Sequence, residues 1–348
     1  MESAQAFSVD RYYELARQAG AEITTIGSSE QGRLIQVLRK GSGNLKVLFI
    51  ARIHGNEPAT TQALLEFFKE NSFNGIRLYG IFLANPDGAA LYEKLWKQNP
   101  EPYWTNNFND ARLNSNGADI NRDWLDLSQK ETQVIQKYIV SIRPDFAIDF
   151  HEYYWSDKGY PPKLPLDDSG GFMATMTDAP FFGADNYVKD ISEQSMNYLI
   201  DKLEKEFAWK IKTRHFVGKN HTTYENPAFL GIYLALRGIP KLLVETWGVA
   251  CSTFLLDKRI LFHKKAMQYA LEWIDQNHLR FSSKIEPLTS IELKINKPDP
   301  ERLKAFTSKL ALHGLEYELR GDKLVIVHCL PFETGFIKTI YYLTYGNN

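Results

Sequence analysis

Short apolar runs alternate with amphipathic stretches along most of the chain. "GRLIQVLRK" reads as a strand, and "KVLFIARIH" as a second one, apolar enough to be buried. "IRLYGIFLAN" predicts a third strand, stopped by "NPDG". "RPDFAIDFHEYY" has period two: Phe146, Ile148 and Phe150 share one face, Asp149 and His151 the other. "GIPKLLVETWG" predicts a further strand ending at Glu245. Helical patterning falls between the strands, near 130–142, 188–207 and 256–277. A first helix capped by Ser8 or Asp10 runs to about Gln18, and Pro58 fits the first turn of another through "ATTQALLEFFKEN". Strands alternating with helices predict an α/β fold: a mixed, mostly parallel central sheet with helices on both faces.

Residues 92–118 and 155–187 lack periodicity and read as irregular. Because the second stretch follows His151 directly, it is expected to wall a cleft. A compositional break at "FSSKIEPLTS" divides the chain into residues 1–283 and a small α+β appendage, 284–348. In the appendage "IELKI" reads as a strand, "DPERLKAFTSKLALHG" as a capped helix and "YELRGDKLVIVHC" as a hairpin.

The 348 residues suffice for one large α/β domain and an appendage. A net charge of −1 argues against a nucleic-acid or polybasic membrane partner. The apolar runs are too short to span a bilayer. Cys251 and Cys329 form no metal or disulfide pattern. The N-terminus lacks a signal-like apolar region, which is consistent with a cytosolic chain or with one whose signal has been removed. Oligomeric state leaves no trace in the sequence.

The chemistry gathers at strand ends. "HGNEP" places His54 and Glu57 on a tight turn after a buried strand, where both can reach one ion. Zinc takes imidazole nitrogen and carboxylate oxygen, and a catalytic zinc site uses three protein ligands. His151, closing another strand, supplies a third. The loop "ARLNSNGADINRDW" adds Arg112, Asp119, Asn121 and Arg122, and Glu245 ends an apolar run. Asp119 can equally be a turn or cap residue, and the two arginines ordinary surface groups. A carboxylate ending a buried run needs a partner.

In this order, "IGSSEQGRLIQVL", "HGNEP", "GADINRDW", "DFH" and "GIYLALRGIPKLLVETWG" resemble the zinc carboxypeptidases related to carboxypeptidase A, in their bacterial branch, over about residues 8–280. The resemblance implies a hydrolase using one zinc ion per chain, held by His54, Glu57 and His151. It implies that Asp119 hydrogen-bonds the first ligand histidine, that Glu245 is the general base for attack by water, and that Arg112 polarises the scissile carbonyl. Asn121 and Arg122 match the pair that grips a free C-terminal carboxylate, and Tyr224 matches a mobile tyrosine that closes over substrate. Gly231, near where the family reads the C-terminal side chain, carries no charge. Glu152 and Tyr153 follow His151 where the family commonly has small polar residues, and Asp123 follows the Asn-Arg pair. These acidic residues either disfavour acidic substrates or face away from the site. His215 and His221 are read as non-ligands; His263, His278, His313 and His328 as structural or solvated.

Three functions compete. The first removes one C-terminal residue from a peptide, cell-wall peptides among the candidates. The second, like the succinylglutamate desuccinylases and aspartoacylases, cleaves a small N-acyl amino acid with a free carboxylate. The third is a catalytically inactive peptide-binding module. The full set of ligands, base and arginines favours the first.

Overall fold

The computed structural model describes residues 7–100, 110–153, 174–177, 184–209, 211–213, 227–249, 252–282, 289–294, 299–321, 323–329 and 333–345. In chain order the elements are α1 (Val9–Arg17), β1 (Glu22–Ser28), β2 (Leu34–Lys40), β3 (Leu45–Ala51), α2 (Pro58–Glu70), β4 (Ile76–Ile81), α3 (Pro86–Gln98), α4 (Lys130–Ile142), β5 (Phe146–Tyr153), β6 (Ala174–Thr177), α5 (Asn186–Phe207), β7 (Ile211–Thr213), α6 (Leu230–Leu236), β8 (Lys241–Trp247), α7 (Leu256–Gln276), α8 (His278–Ser282), β9 (Thr289–Lys294), α9 (Pro300–Leu312), β10 (Glu316–Arg320), β11 (Lys323–Cys329) and α10 (Thr334–Tyr345).

Eight strands form one mixed sheet in the order β1-β2-β4-β3-β5-β8-β6-β7. The centre is parallel: β4, β3, β5 and β8 run the same way. Strands β3 and β5 are buried along most of their length, as expected where helices cover both faces. One face packs Phe49, Phe146, Ile148, Phe150, Leu242 and Val244 against α1, α2, α3, α5 and α7. The other packs Leu48, Ile50 and Ala147 against α4, α6, α9 and α10. No helix among the described residues is long and apolar enough to cross a membrane.

Several elements depart from the expectation. Residues 92–98, expected to be irregular, are the end of α3. "NPDG" does stop β4, but it also starts that helix: Asn85 caps it by accepting the N–H of Gly88 at 2.9 Å, and Pro86 takes the first turn. Strand β1 has no regular alternation and, among the described residues, pairs with β2 at the sheet edge. Helix α6 is seven residues, all buried, so its sequence shows no amphipathic period. Strand β8 continues two residues past Glu245. Most of 155–187 lies outside the described residues; within it β6 pairs antiparallel with β8, Thr175 opposite Glu245.

Strands β10, β11 and β9 form a separate antiparallel sheet after residue 288, and α10 closes the described chain. Helices α9 and α10 share a core with α6. Polar ties reinforce the contact. Arg237 pairs with Glu333 at 2.7 Å and donates to the His313 carbonyl at 2.9 Å, and Lys309 pairs with Asp126 at 2.8 Å.

Candidate metal centre

Strands β3, β5 and β8 are adjacent and parallel, so their carboxyl ends open at one edge of the sheet. Sites in open α/β sheets lie at such edges. After Ala51 the chain turns sharply, with Arg52 at φ 58. Gly55 makes the turn possible: a Cβ there would sit 2.1 Å from the Gly88 carbonyl carbon and 2.4 Å from the Ala111 oxygen. The Asn85 side chain donates to the Arg112 carbonyl at 3.2 Å, and its backbone N–H to the Arg52 carbonyl at 3.0 Å. The start of α3 and the 110–122 loop therefore hold the turn from two sides. From below, the Arg52 Nε–H donates to the Gly55 carbonyl at 3.0 Å, while its guanidinium lies between the rings of Tyr12 and Tyr92.

This packing brings His54, Glu57 and His151 together, all buried. His54 Nδ1 lies 2.7 Å from one Glu57 oxygen, and His151 Nδ1 lies 3.0 Å from the other. The two Nδ1 atoms are 3.1 Å apart. Ligands at 2.0–2.1 Å from a tetrahedral zinc stand about 3.3 Å from one another, so these separations fit that ion with little adjustment. The far nitrogens are also held. His54 Nε2 is 3.2 Å from Asp119 Oδ1, and His151 Nε2 is 2.7 Å from Asp149 Oδ2. A carboxylate on the outer nitrogen fixes the tautomer that leaves Nδ1 free for a metal.

The electrostatics favour a cation here. Burial lowers the pKa of His151, but Asp149 and Glu57 on either side carry it well above the ordinary imidazole value. Burial raises the pKa of Glu57, yet His54 and His151 hold its carboxyl far below the usual range. Asp119 is depressed too: its burial is outweighed by His54, Arg112 and Arg122.

Asp119 organises the loop. It accepts the Asn121 N–H at 2.9 Å, capping the turn, so the cap and the histidine-bonding role coexist in one residue. Its second oxygen receives Arg112 Nε at 3.1 Å and lies 3.9 Å from Arg122. Arg112 also stands 3.7 Å from Glu57. Arg122 is half exposed, with its guanidinium 3.8 Å above the Phe229 ring. Asn121 is buried: its Oδ1 accepts the Leu230 N–H at 2.9 Å, and its amide nitrogen sits 3.5 Å from His151 Nε2. Glu245 stands on the rung of β8 opposite His151.

Tyr224, His215 and His221 lie outside the described residues. His263 is buried with its Nε2 3.0 Å from the Thr246 hydroxyl, and burial with Arg259 nearby depresses its pKa to about 3. The two added acids face away from the metal centre. Glu152 forms a buried ion pair with Arg259 and accepts the Ala59 N–H at 3.0 Å. Asp123 binds Ser128, Gln129 and Thr132.

The sequence reading gave no role to Asp149, Arg52 or Phe229. For Asp149 a signal was present, since it shares the face of His151 two residues away. Arg52 and Phe229 carry no such mark; only the tertiary packing reveals them.

Comparison with known proteins follows the same line. Residues 14–154 match the zinc carboxypeptidase family. The uncharacterized protein YqgT of Bacillus subtilis is 29% identical over 198 residues, 40% of this chain and 51% of its own length. Carboxypeptidase 2 of Trichophyton tonsurans is 27% identical over 162 residues, 45% of this chain and 27% of its own length. The chain thus spans about half the length of the first of these curated relatives and about a quarter of the second. Among solved structures, the metallo-carboxypeptidase of Burkholderia cenocepacia has a similar fold, with TM-score 0.55 and 14% identity over 77% of this chain and 68% of that one.

Proposed function

Because residues 14–154 carry a zinc carboxypeptidase segment and the surrounding frame has a carboxypeptidase fold, we propose that the chain is a zinc-dependent metallocarboxypeptidase removing one C-terminal residue from a peptide. One observation carries the reading. Two imidazoles and a carboxylate converge within 4.8 Å, each imidazole backed by its own aspartate, with Glu245 on the adjoining rung.

His54, Glu57 and His151 would hold a zinc ion, which when bound would supply Lewis acidity for a water and the scissile carbonyl. Glu245 takes the proton of the attacking water and returns it to the leaving amine. Arg112 stabilises negative charge developing on the carbonyl oxygen. Arg122, planar and open to solvent on one side, receives the terminal carboxylate through paired N–H donors, and Asn121 adds its amide. Asp119 and Asp149 keep the outer imidazole nitrogens occupied throughout. Residues 284–348 serve as a brace in this reading: His313 Nε2–H donates to the Leu125 carbonyl at 2.9 Å, just beyond the loop bearing Arg122.

The test is metal content with a base variant. Purified protein is expected to hold one zinc per chain, and Glu245→Gln to keep the zinc while losing turnover by at least about a thousandfold. A variant with undiminished turnover would remove Glu245 from its role. Protein that takes up no zinc would end the reading.

A further inference from the structure

An arginine brings a planar fork to a carboxylate, but on a long and freely rotating stem. Its use in a binding site depends on how much of that freedom is gone before the substrate arrives. Much of it is gone at Arg122. Its Nη1 donates to the Asn121 carbonyl at 2.8 Å and lies 3.9 Å from Asp119 Oδ2. The Phe229 ring underlies the guanidinium, with Cζ 3.8 Å from the ring centroid. A planar cation reaches that distance by lying nearly flat on the ring, because an N–H edge turned towards the face needs more room. Among the described residues Nε and Nη2 enter no hydrogen bond, so they form the free edge of the fork.

The ring is itself fixed. Phe229 precedes α6 as its cap residue, extended at φ −87 and ψ 136, and its carbonyl accepts the Tyr233 N–H at 2.9 Å. It is half-buried and packs on the core that α6 shares with α9 and α10. Its neighbours in the chain are bonded to the neighbours of Arg122. The Trp124 N–H donates to the Ala228 carbonyl at 3.1 Å, and Asn121 Oδ1 accepts the Leu230 N–H at 2.9 Å. These hydrogen bonds on either side bring ring and guanidinium face to face. Packing alone asks only for an apolar group at position 229, and an aliphatic side chain would meet that need. The flat face of an aromatic ring matches the guanidinium plane.

Resting on the carboxypeptidase reading, we propose that Phe229 is a positioning residue for Arg122: its ring sets the guanidinium plane so that the Nε–Nη2 edge meets the terminal carboxylate of the substrate already aligned. The Asn121 carbonyl and Asp119 hold the opposite edge, and the ring prevents rotation out of the plane. The ordering cost is then met in folding rather than in binding.

The test compares zinc-loaded variants on one peptide with a free C-terminus. Phe229→Leu is expected to raise KM about threefold to thirtyfold, with the change falling on KM rather than kcat. Phe229→Tyr keeps the ring and should retain the wild-type KM. Phe229→pentafluorophenylalanine keeps the size and packing but reverses the charge of the ring face, so it should raise KM as leucine does; a ring that only packs would leave KM unmoved. In an Arg122→Ala background, itself raised in KM, Phe229→Leu should add nothing further. Should Phe229→Leu not fold, the fluorinated variant decides. An unchanged KM in folded Phe229→Leu or in the fluorinated variant, or a full Phe229→Leu effect persisting without Arg122, overturns the proposal. So does an Arg122→Ala variant with wild-type KM; each of these leaves the carboxypeptidase intact. A wild type that cleaves no peptide with a free C-terminus overturns the functional reading and this inference with it.

Discussion

Arg259→Met is expected to be among the most costly single changes in the molecule. Arg259 is 1% exposed and pairs with Glu152, which is 2% exposed. Its guanidinium also donates to the carbonyls of Ser252 at 2.6 Å and Phe254 at 3.0 Å. Glu152 directly follows His151 and receives the N–H of Ala59 in the first turn of α2. The pair thus joins the end of β5, which carries His151, and the first turn of α2, which follows His54 and Glu57, to the start of α7. Burial raises the pKa of Glu152, and Arg259 is the main opposing influence. Methionine fills the space but leaves a buried carboxylate without its cation and two carbonyls without a donor. Breaking one partner of a buried pair costs about 3–5 kcal/mol. Urea unfolding followed by tryptophan fluorescence would show the midpoint lowered accordingly. Glu152→Gln added to Arg259→Met removes the stranded charge and should recover roughly half of the loss. A loss below about 1 kcal/mol in Arg259→Met, or a double variant no more stable than the single one, would refute the reasoning.

Other outcomes follow from the same contacts. Gly248→Ala places a Cβ 1.9 Å from Glu152 Oε1, so it should mimic Arg259→Met in the same unfolding assay. Asp149→Ala frees the outer nitrogen of His151 and should weaken zinc about tenfold to a hundredfold, measured by competition with a chelator. His313, buried and held neutral with a pKa of about 4, has a folded pKa below its unfolded value of 6.5. The unfolded chain then binds the extra proton first, so this contribution to stability is full above pH 6.5 and is lost as pH falls towards 4. The loss amounts to about 3 kcal/mol, and a His313→Gln variant should flatten the Tm profile over that interval.

The strands that build the site were legible in two ways: β3 and β8 as short apolar runs, β5 from its period-two alternation. Helices α2, α4, α5 and α7 were legible from their helical patterning, α2 also from Pro58 in its first turn. What escaped had a physical reason. Asn85 and Pro86 serve equally well to end a strand or to begin a helix, and only the chain that follows decides. Strand β1 depends on its partner β2, not on its own pattern. The candidate metal residues His54, Glu57 and His151 stood out in the sequence because ligand chemistry restricts residue type and spacing. The direction of Glu152 and the commitment of Asp123 depend on side-chain packing that no short stretch of sequence displays. No local sequence pattern encodes such contacts.

Zinc-loaded protein is expected to cleave peptides at a free C-terminus. Mass spectrometry of a panel of peptides, the same peptides amidated, muropeptides and N-acyl amino acids tests it most directly. Loss of a single C-terminal residue, blocked by amidation, is the expected result; cleavage confined to the N-acyl amino acids would overturn the carboxypeptidase reading.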